Sequence, residues 1–156
     1  MTVETTILEA IANFFKENNW TFSQPETEPI LRMGFEGENG QWACFVKVRE
    51  EQRQFLFYSV LPINVPEKKR LAVAEFLTRA NYGLTVGNFE IDLTDGEVRY
   101  KTSMIFQGCA LNSAVIEQLV YGNLLTMDQY IPGMMTVIYT NVSPLEAIAQ
   151  IESQSE

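Results

Sequence analysis

Hydrophobic and polar positions along this 156-residue chain repeat with two distinct periods, and these periods predict its helices and strands. Apolar residues recur at spacings of three and four over residues 4–18, which predicts a first helix. Pro66 occupies a favoured first-turn position for a second helix. That helix runs to about Asn81, and Gly83 ends it.

A longer apolar stripe near the C-terminus predicts a third helix, with Asn112 or Ser113 as its N-cap. Pro132-Gly133 breaks or kinks this helix, and the apolar segment MMTVIYTN can continue it beyond the kink. Ser143 caps a last short helix that has Pro144 in its first turn.

Strict alternation of apolar and polar residues predicts a first hairpin that turns at Asn39-Gly40. Phe35 is then opposite Cys44, and apolar side chains fill one face of the hairpin. A shift of one residue would bury the charged side chains, so the face assignment is well specified. Phe45 is the exception, because it falls on the polar face.

The segment FLFYSVLPI predicts a third strand that is apolar on both faces. Phe55 and Phe57 point to one side, and Leu56, Tyr58 and Val60 point to the other. Such a strand is typical of the centre of a sheet that is covered on both sides. Alternatively, one of its faces binds a partner.

The segment GNFEIDLTDGEVRYKTSM predicts a second hairpin that turns at Asp95-Gly96. Asp92 is then opposite Arg99 and Glu90 is opposite Lys101, so each acid of the strand faces a base. The acidic cluster therefore has a structural explanation, and its spacing does not fit a calcium-binding loop.

The net charge of −9 and the sequence pI of about 4.5 disfavour binding to nucleic acid and to anionic membranes. The chain has no histidine, which excludes Ser-His and Cys-His nucleophile pairs. Cys44 and Cys109 fit no zinc spacing and are expected to be buried, reduced thiols. The sequence therefore predicts no catalytic residues, no cofactor and no metal site.

The first twenty residues lack the basic N-terminal region that is typical of a signal peptide. No apolar run approaches the roughly 20 residues of a membrane span. We expect a cytoplasmic protein. We also expect one domain over residues 1–152, followed by a frayed tail at 153–156.

The segments RANYGLTVGNFEIDLTDGEVRYKTSM and LVYGNLLTMDQYIPGMMTVIYTNVSPLEAI resemble the YbjN-like family of bacterial proteins. The resemblance covers most of the chain and is clearest from about Arg79 to Ile148. It implies a type III secretion chaperone-like fold and a role in sensory transduction or stress regulation, with no catalytic residues. Secretion chaperones with this fold are small acidic dimers that hold partner polypeptides on exposed apolar patches.

Together these observations predict an α+β fold with an antiparallel sheet of five to six strands and helices packed on it. The predicted element order is α-βββ-α-ββ(β)-α. The surplus of apolar residues favours a non-enzymatic protein-binding regulator or chaperone-like adaptor, expected to be a homodimer with a further, unknown protein partner. The predicted interface residues are Phe45, Phe55, Phe57, Met134 and Met135.

Two other functions stay open at this point. A small-molecule sensor would need an apolar cavity between sheet and helices, lined by Trp42, Tyr58, Tyr82 and methionines. An enzyme that uses acids alone would need two carboxylates about 5–10 Å apart in a cleft. The bases opposite Glu90 and Asp92 argue against the raised pKa that an acid catalyst requires.

Overall fold

The computed structural model describes residues 5–154, which form four α-helices and six strands. The helices are α1 (Ile7–Glu17), α2 (Arg70–Asn81), α3 (Ser113–Tyr139) and α4 (Pro144–Ser153), with a single 3₁₀ turn at Glu67–Lys69. The strands are β1 (Phe22–Ser23), β2 (Ile30–Glu36), β3 (Gln41–Arg49), β4 (Gln54–Val60), β5 (Asn88–Ile91) and β6 (Val98–Ile105).

All six strands form one antiparallel sheet in the order β1-β2-β3-β4-β6-β5. Alternate residues of each long strand are buried, and the helices supply the apolar side chains that cover them. On the other face of the sheet, no helix of residues 5–154 is packed. The predicted α+β class and the antiparallel sheet of five to six strands are therefore confirmed. The sixth strand is β1, which precedes the first hairpin, and not a third strand after α2 as the predicted element order allowed.

Helix α1 begins at Ile7, because the Thr6 hydroxyl accepts from the Glu9 amide and the Glu9 carboxylate accepts from the Thr6 amide. This reciprocal pair caps the helix. The predicted start at residue 4 falls outside the described residues, but the boundary at Ile7 shows that the helix is shorter than predicted.

The first hairpin has the predicted faces but not the predicted register. Phe35 pairs with Trp42 rather than with Cys44, so the pairing is shifted by two residues and residues 37–40 form a longer loop. A two-residue shift keeps the same side chains on the same face, which is why the burial pattern survives the error.

Helix α3 holds this longer loop in place at its proline. Pro132 has no amide hydrogen, so the carbonyl of Asp128 lacks its helical donor, and Asn39 Nδ2 donates to it at 3.1 Å. The Asp128 carboxylate accepts from the backbone amides of Glu38 and Asn39 at 3.0 and 2.8 Å. A Cβ on Gly37 would lie 2.5 Å from the carboxylate, so this position needs glycine.

The second hairpin is also confirmed with a two-residue shift. Glu90 pairs with Arg99, whereas Asp92 begins a six-residue loop over residues 92–97. The Asp92 carboxylate accepts from the Thr94 amide at 2.8 Å, and the Thr94 carbonyl accepts from Arg70 in α2. The predicted pair of Asp92 with Arg99 is therefore wrong, because Asp92 holds its own turn.

The two cysteines lie in different environments. Cys44 is buried in the core, as predicted, and Ser59 lies 3.6 Å from its sulfur. Cys109 is exposed in the loop before α3, so its predicted burial is wrong. Both are free thiols, and burial raises the pKa of Cys44 to about 11.

The C-terminal part forms the two helices that the sequence pattern predicts, and the third helix continues beyond Pro132. Helix α3 runs through Pro132 without a break, and Asn112 is its N-cap, as predicted. Ser143 caps α4, which extends through Ser153 into the segment predicted to fray. Residues 155–156 of that predicted tail lie outside the described residues.

Candidate protein-binding face

The face of the sheet without helices is called here the uncovered face. Strand pairing places its side chains in rows, because directly opposed residues of an antiparallel sheet point to the same side. Its members in the four long strands alternate with the core residues. They are Ile30, Arg32, Gly34, Glu36, Gln41, Ala43, Phe45, Lys47, Arg49, Gln54, Leu56, Tyr58, Val60, Arg99, Lys101, Ser103 and Ile105.

An aromatic pair forms the centre of the uncovered face. The rings of Phe45 and Tyr58 stack with centroids 4.6 Å apart and an interplanar angle of 23°. The guanidinium of Arg99 lies 4.4 Å from the centroid of the Tyr58 ring, which is a cation–π geometry. These neighbours leave Tyr58 only 6% exposed, although no helix lies above it. The pair therefore forms a preformed, rigid apolar platform.

Leu56 and Val60 extend this platform along β4, and both are partly exposed. Beside it, the cross-strand neighbours Gly34 and Ala43 form a depression of about 400 Å³ against the Phe45 side chain. A Cβ on Gly34 would have no atom within 4 Å, so the space above this glycine is open. The uncovered face thus offers one flat apolar area and one adjacent socket.

Basic residues surround the apolar platform. Five of the chain's 11 basic residues lie on the uncovered face, against one of its 20 acidic residues, Glu36, and a second acid, Glu90, at the β5 edge. Glu90 of the neighbouring strand β5 binds Arg99 at 2.9 Å and Lys101 at 3.3 Å. Within residues 5–154, Arg32, Lys47 and Arg49 form no salt bridge, and all three are exposed.

The predicted interface residues separate into two groups. Phe55, Phe57 and Met134 are 0% exposed in the core, so they cannot contact a partner in this conformation. Phe45 lies on the uncovered face and Met135 lies partly buried on α3, at the margin of the core. The structure therefore does not bring the five residues together, and an interface at Phe45 stays a prediction.

The sequence pattern contained a signal for which face of β4 the helices leave uncovered, although the prediction did not use it. Phe45 shares a hairpin face with Arg32 and Lys47, so pairing β3 with β4 through Phe45 identifies the exposed side of β4. That side carries Tyr58 rather than Phe57. The prediction instead selected the large apolar residues Phe55 and Phe57 of β4, and both lie in the core.

A buried polar network joins the covered face of the sheet to α3. Asn123 is 0% exposed, and its Nδ2 donates to the carbonyls of Phe57 and Tyr100 at 3.0 Å each. Its Oδ1 accepts from the Ser59 hydroxyl at 2.6 Å, and the Thr102 hydroxyl donates to the Leu119 carbonyl at 3.0 Å. Hydrogen-bonded buried groups of this kind fix one geometry, so the sheet behind the uncovered face is rigid.

Three acidic residues of the second hairpin, Glu90, Asp92 and Asp95, have structural partners. Glu90 is held by two bases, and the Asp95 carboxylate accepts from the Glu97 amide at 2.9 Å. Over residues 5–154, no group of three or more Cys, Asp or Glu side chains is arranged to hold a metal ion. No helix in the same range is long and apolar enough to cross a membrane.

Comparison with known proteins places the chain in a family. Residues 8–135 match the family model YbjN, described as "Putative bacterial sensory transduction regulator". The chain belongs to the YbjN family. No curated protein matches its sequence. The family resemblance carried by the second hairpin and the third helix is therefore confirmed.

Two solved structures share the fold of this YbjN-family chain at low sequence identity. YbjN of E. coli, described as "a putative transcription regulator", is 11% identical and superposes with a TM-score of 0.60, covering 96% of each chain. The ExsC-ExsE complex contains a chain that is 12% identical, with a TM-score of 0.53, covering 80% of this chain and 90% of that one. At these identities the likeness shows the fold alone.

Proposed function

We propose that this YbjN-family chain is a non-enzymatic protein-binding regulator or adaptor that holds a partner polypeptide on its uncovered face. The observation that carries the proposal is the partly exposed apolar surface of Phe45, Leu56 and Val60, which the buried Tyr58 ring supports and which no helix of residues 5–154 covers. Aromatic and arginine side chains are enriched where proteins bind one another.

The fold likeness supports this proposal. The ExsC-ExsE structure is a complex, so this fold can bind another protein. The family description as a sensory transduction regulator fits a protein that acts by binding rather than by catalysis. Glu90, Asp92 and Asp95 each have a structural partner, which supports a non-enzymatic function.

A small-molecule sensor has less support, because the space between sheet and helices is filled by side chains. Phe15, Phe57, Leu124 and Met127 are all 0% exposed there. The polar atoms of the Asn123 network are all bonded to one another or to the backbone, so none is left for a ligand.

The expected homodimer is a separate part of the proposal, and it would use the helical side. Lys69 Nζ donates to the Thr140 carbonyl at 2.9 Å, which joins the start of α2 to the end of α3. Leu71, Tyr139 and Leu145 are each more than half exposed in this part of the molecule. Light scattering across a dilution series measures the oligomeric state directly. A monomer at all concentrations would contradict the homodimer.

Site-specific photo-crosslinking in the native host tests the proposed function. A photoreactive amino acid replaces Ser103, which is exposed on the uncovered face, or Glu117, which is exposed on α3. We expect discrete crosslinked polypeptides from position 103 and none of the same mass from position 117. The matched variant adds Phe45→Glu, which puts a charge on the platform and should remove the adducts.

Circular dichroism and thermal unfolding establish that the Phe45→Glu variant is folded before the crosslinks are compared. If positions 103 and 117 gave the same adducts, or if Phe45→Glu left them unchanged, the uncovered face would not be the binding surface. The proposed function would then lose the observation on which it rests.

A further inference from the structure

The charge on the uncovered face differs in sign from the charge on the rest of the molecule. The whole chain carries −9, yet the uncovered face with its β5 edge has five basic and two acidic side chains. Placing basic residues together costs Coulomb energy unless a partner or solvent compensates. The arrangement therefore favours a partner of negative charge at this face.

The three unpaired cations lie on one side of the apolar platform. Arg32 is directly opposite Phe45, and Lys47 is directly opposite Leu56. Arg49 follows Lys47 by two residues on the same face of β3. An extended segment that crosses this side could place acidic side chains at the cations and an apolar side chain in the socket above Gly34.

Resting on the proposed function, we propose that the partner is an acidic polypeptide segment that carries an apolar anchor residue. The anchor fills the depression at Gly34 and Ala43, against Phe45. Neighbouring carboxylates bind Arg32, Lys47 and Arg49. A second copy of the chain does not fit face to face, because both surfaces are basic.

Single-stranded nucleic acid fits this face less well than an acidic polypeptide. Bases bind by stacking on exposed aromatic rings, but Tyr58 is 6% exposed and its ring is already covered by Phe45 and Arg99. Glu90 also engages both Arg99 and Lys101, which leaves fewer cations for phosphates. The experiment must therefore distinguish binding of nucleic acid from binding of an acidic polypeptide.

The experiment measures fluorescence anisotropy of three labelled twelve-residue peptides and one twelve-nucleotide DNA strand. The first peptide is rich in Glu and contains two Leu residues. The second has Lys in place of Glu, and the third has Ser in place of Leu. We expect the first peptide to bind at least about tenfold more tightly than the others, and to weaken between 50 and 300 mM NaCl because exposed charge pairs are screened.

Two variants locate the binding. The double variant Lys47→Glu/Arg49→Glu should lose about tenfold or more in affinity for the acidic peptide, and Gly34→Val should lose a similar factor by filling the socket. Lys16→Glu, a single charge reversal on α1, is the control and should bind like the unmodified protein. Gly34→Val adds a residue that favours strands, so loss of folding is not expected.

Equal binding of the acidic and basic peptides, absence of binding by all three, or tighter binding of the DNA strand would each overturn the acidic-partner inference. The crosslinks from position 103 separate this failure from that of the proposed function. If they persist while the acidic peptide does not bind, the protein-binding function stands and only the partner chemistry is wrong.

Discussion

The two faces of the sheet are built by the same strands, yet they are under different physical constraints. On the covered face, Phe57 and Val46 are cross-strand neighbours and both are 0% exposed. On the uncovered face, Phe45 and Tyr58 are also cross-strand neighbours, but they pack mainly on each other and on Arg99. The covered face forms the hydrophobic core, whereas the uncovered face holds an aromatic pair that lies outside this core.

The largest expected difference between the two faces is in the accessibility of thiols at neighbouring positions of β3. In a Cys109→Ser background, Cys44 points into the core, and the Ala43→Cys variant adds a thiol on the uncovered face. We expect the added thiol to react with a maleimide about a thousandfold faster or more than Cys44, because the buried thiol reacts only when the fold opens.

The pKa of Cys44 adds a pH dependence to this experiment. Burial raises that pKa from 9.0 to about 11, so the folded state disfavours the thiolate. The stability from the protonated thiol is fully present below pH 9 and is lost as pH rises toward 11.

Similar labelling rates at positions 43 and 44 at pH 7 would mean that β3 does not separate two environments.

Truncation of one aromatic ring on each face should give the next largest difference. Phe57→Ala removes a ring from the core and should lower the free energy of unfolding by about 3–5 kcal/mol. Phe45→Ala removes a ring from the uncovered face and should cost about 1 kcal/mol, the scale of a cross-strand aromatic pair. Urea unfolding measures both, and a larger loss for Phe45→Ala would reverse our assignment of the two faces.

The buried amide that joins the covered face to α3 should have a smaller but clear effect. Asn123→Ala leaves the carbonyls of Phe57 and Tyr100 without that donor, which should cost about 1–3 kcal/mol. Gln118→Ala, at an exposed position of the same helix, is the control and should change stability by less than about 0.5 kcal/mol. Equal effects of the two changes would show that the network contributes no stability.

The ion pairs at the edge of the uncovered face should have the smallest effect. Glu90→Gln removes the charge that binds Arg99 and Lys101, and should lower the free energy of unfolding by about 0.2–1 kcal/mol because the groups are partly exposed. The same change adds net positive charge to the face. We therefore expect stronger binding of the acidic peptide, and weaker binding would contradict the charge argument.

The sequence predicted the faces of the strands better than the pairing between them. Both hairpins have their turn where Asn39-Gly40 and Asp95-Gly96 indicate it, and both registers are shifted by two residues. Because side chains alternate with a period of two, such a shift leaves every side chain on its predicted face. The assignment of side chains to faces therefore stays correct even when the turn residues give a pairing that is shifted by two residues.

The candidate site was only partly predictable for a related reason. Phe45 was identified because it interrupts a polar face, which is visible in one strand. Phe55 and Phe57 were assigned to the interface because one strand with two apolar faces does not show which face the helices cover. The pairing of Phe45 with Tyr58 decides this, and pairing is a property of two strands together.

The helices, the alternation within strands, the lack of histidine and the family can all be recognised from the sequence alone. Tertiary structure decided the register and the covered side. Asp128 on α3 binds the amides of Glu38 and Asn39, and this contact between residues about 90 positions apart sets the length of the first loop. Local pattern specifies which residues share a face, whereas only long-range contacts specify what that face meets.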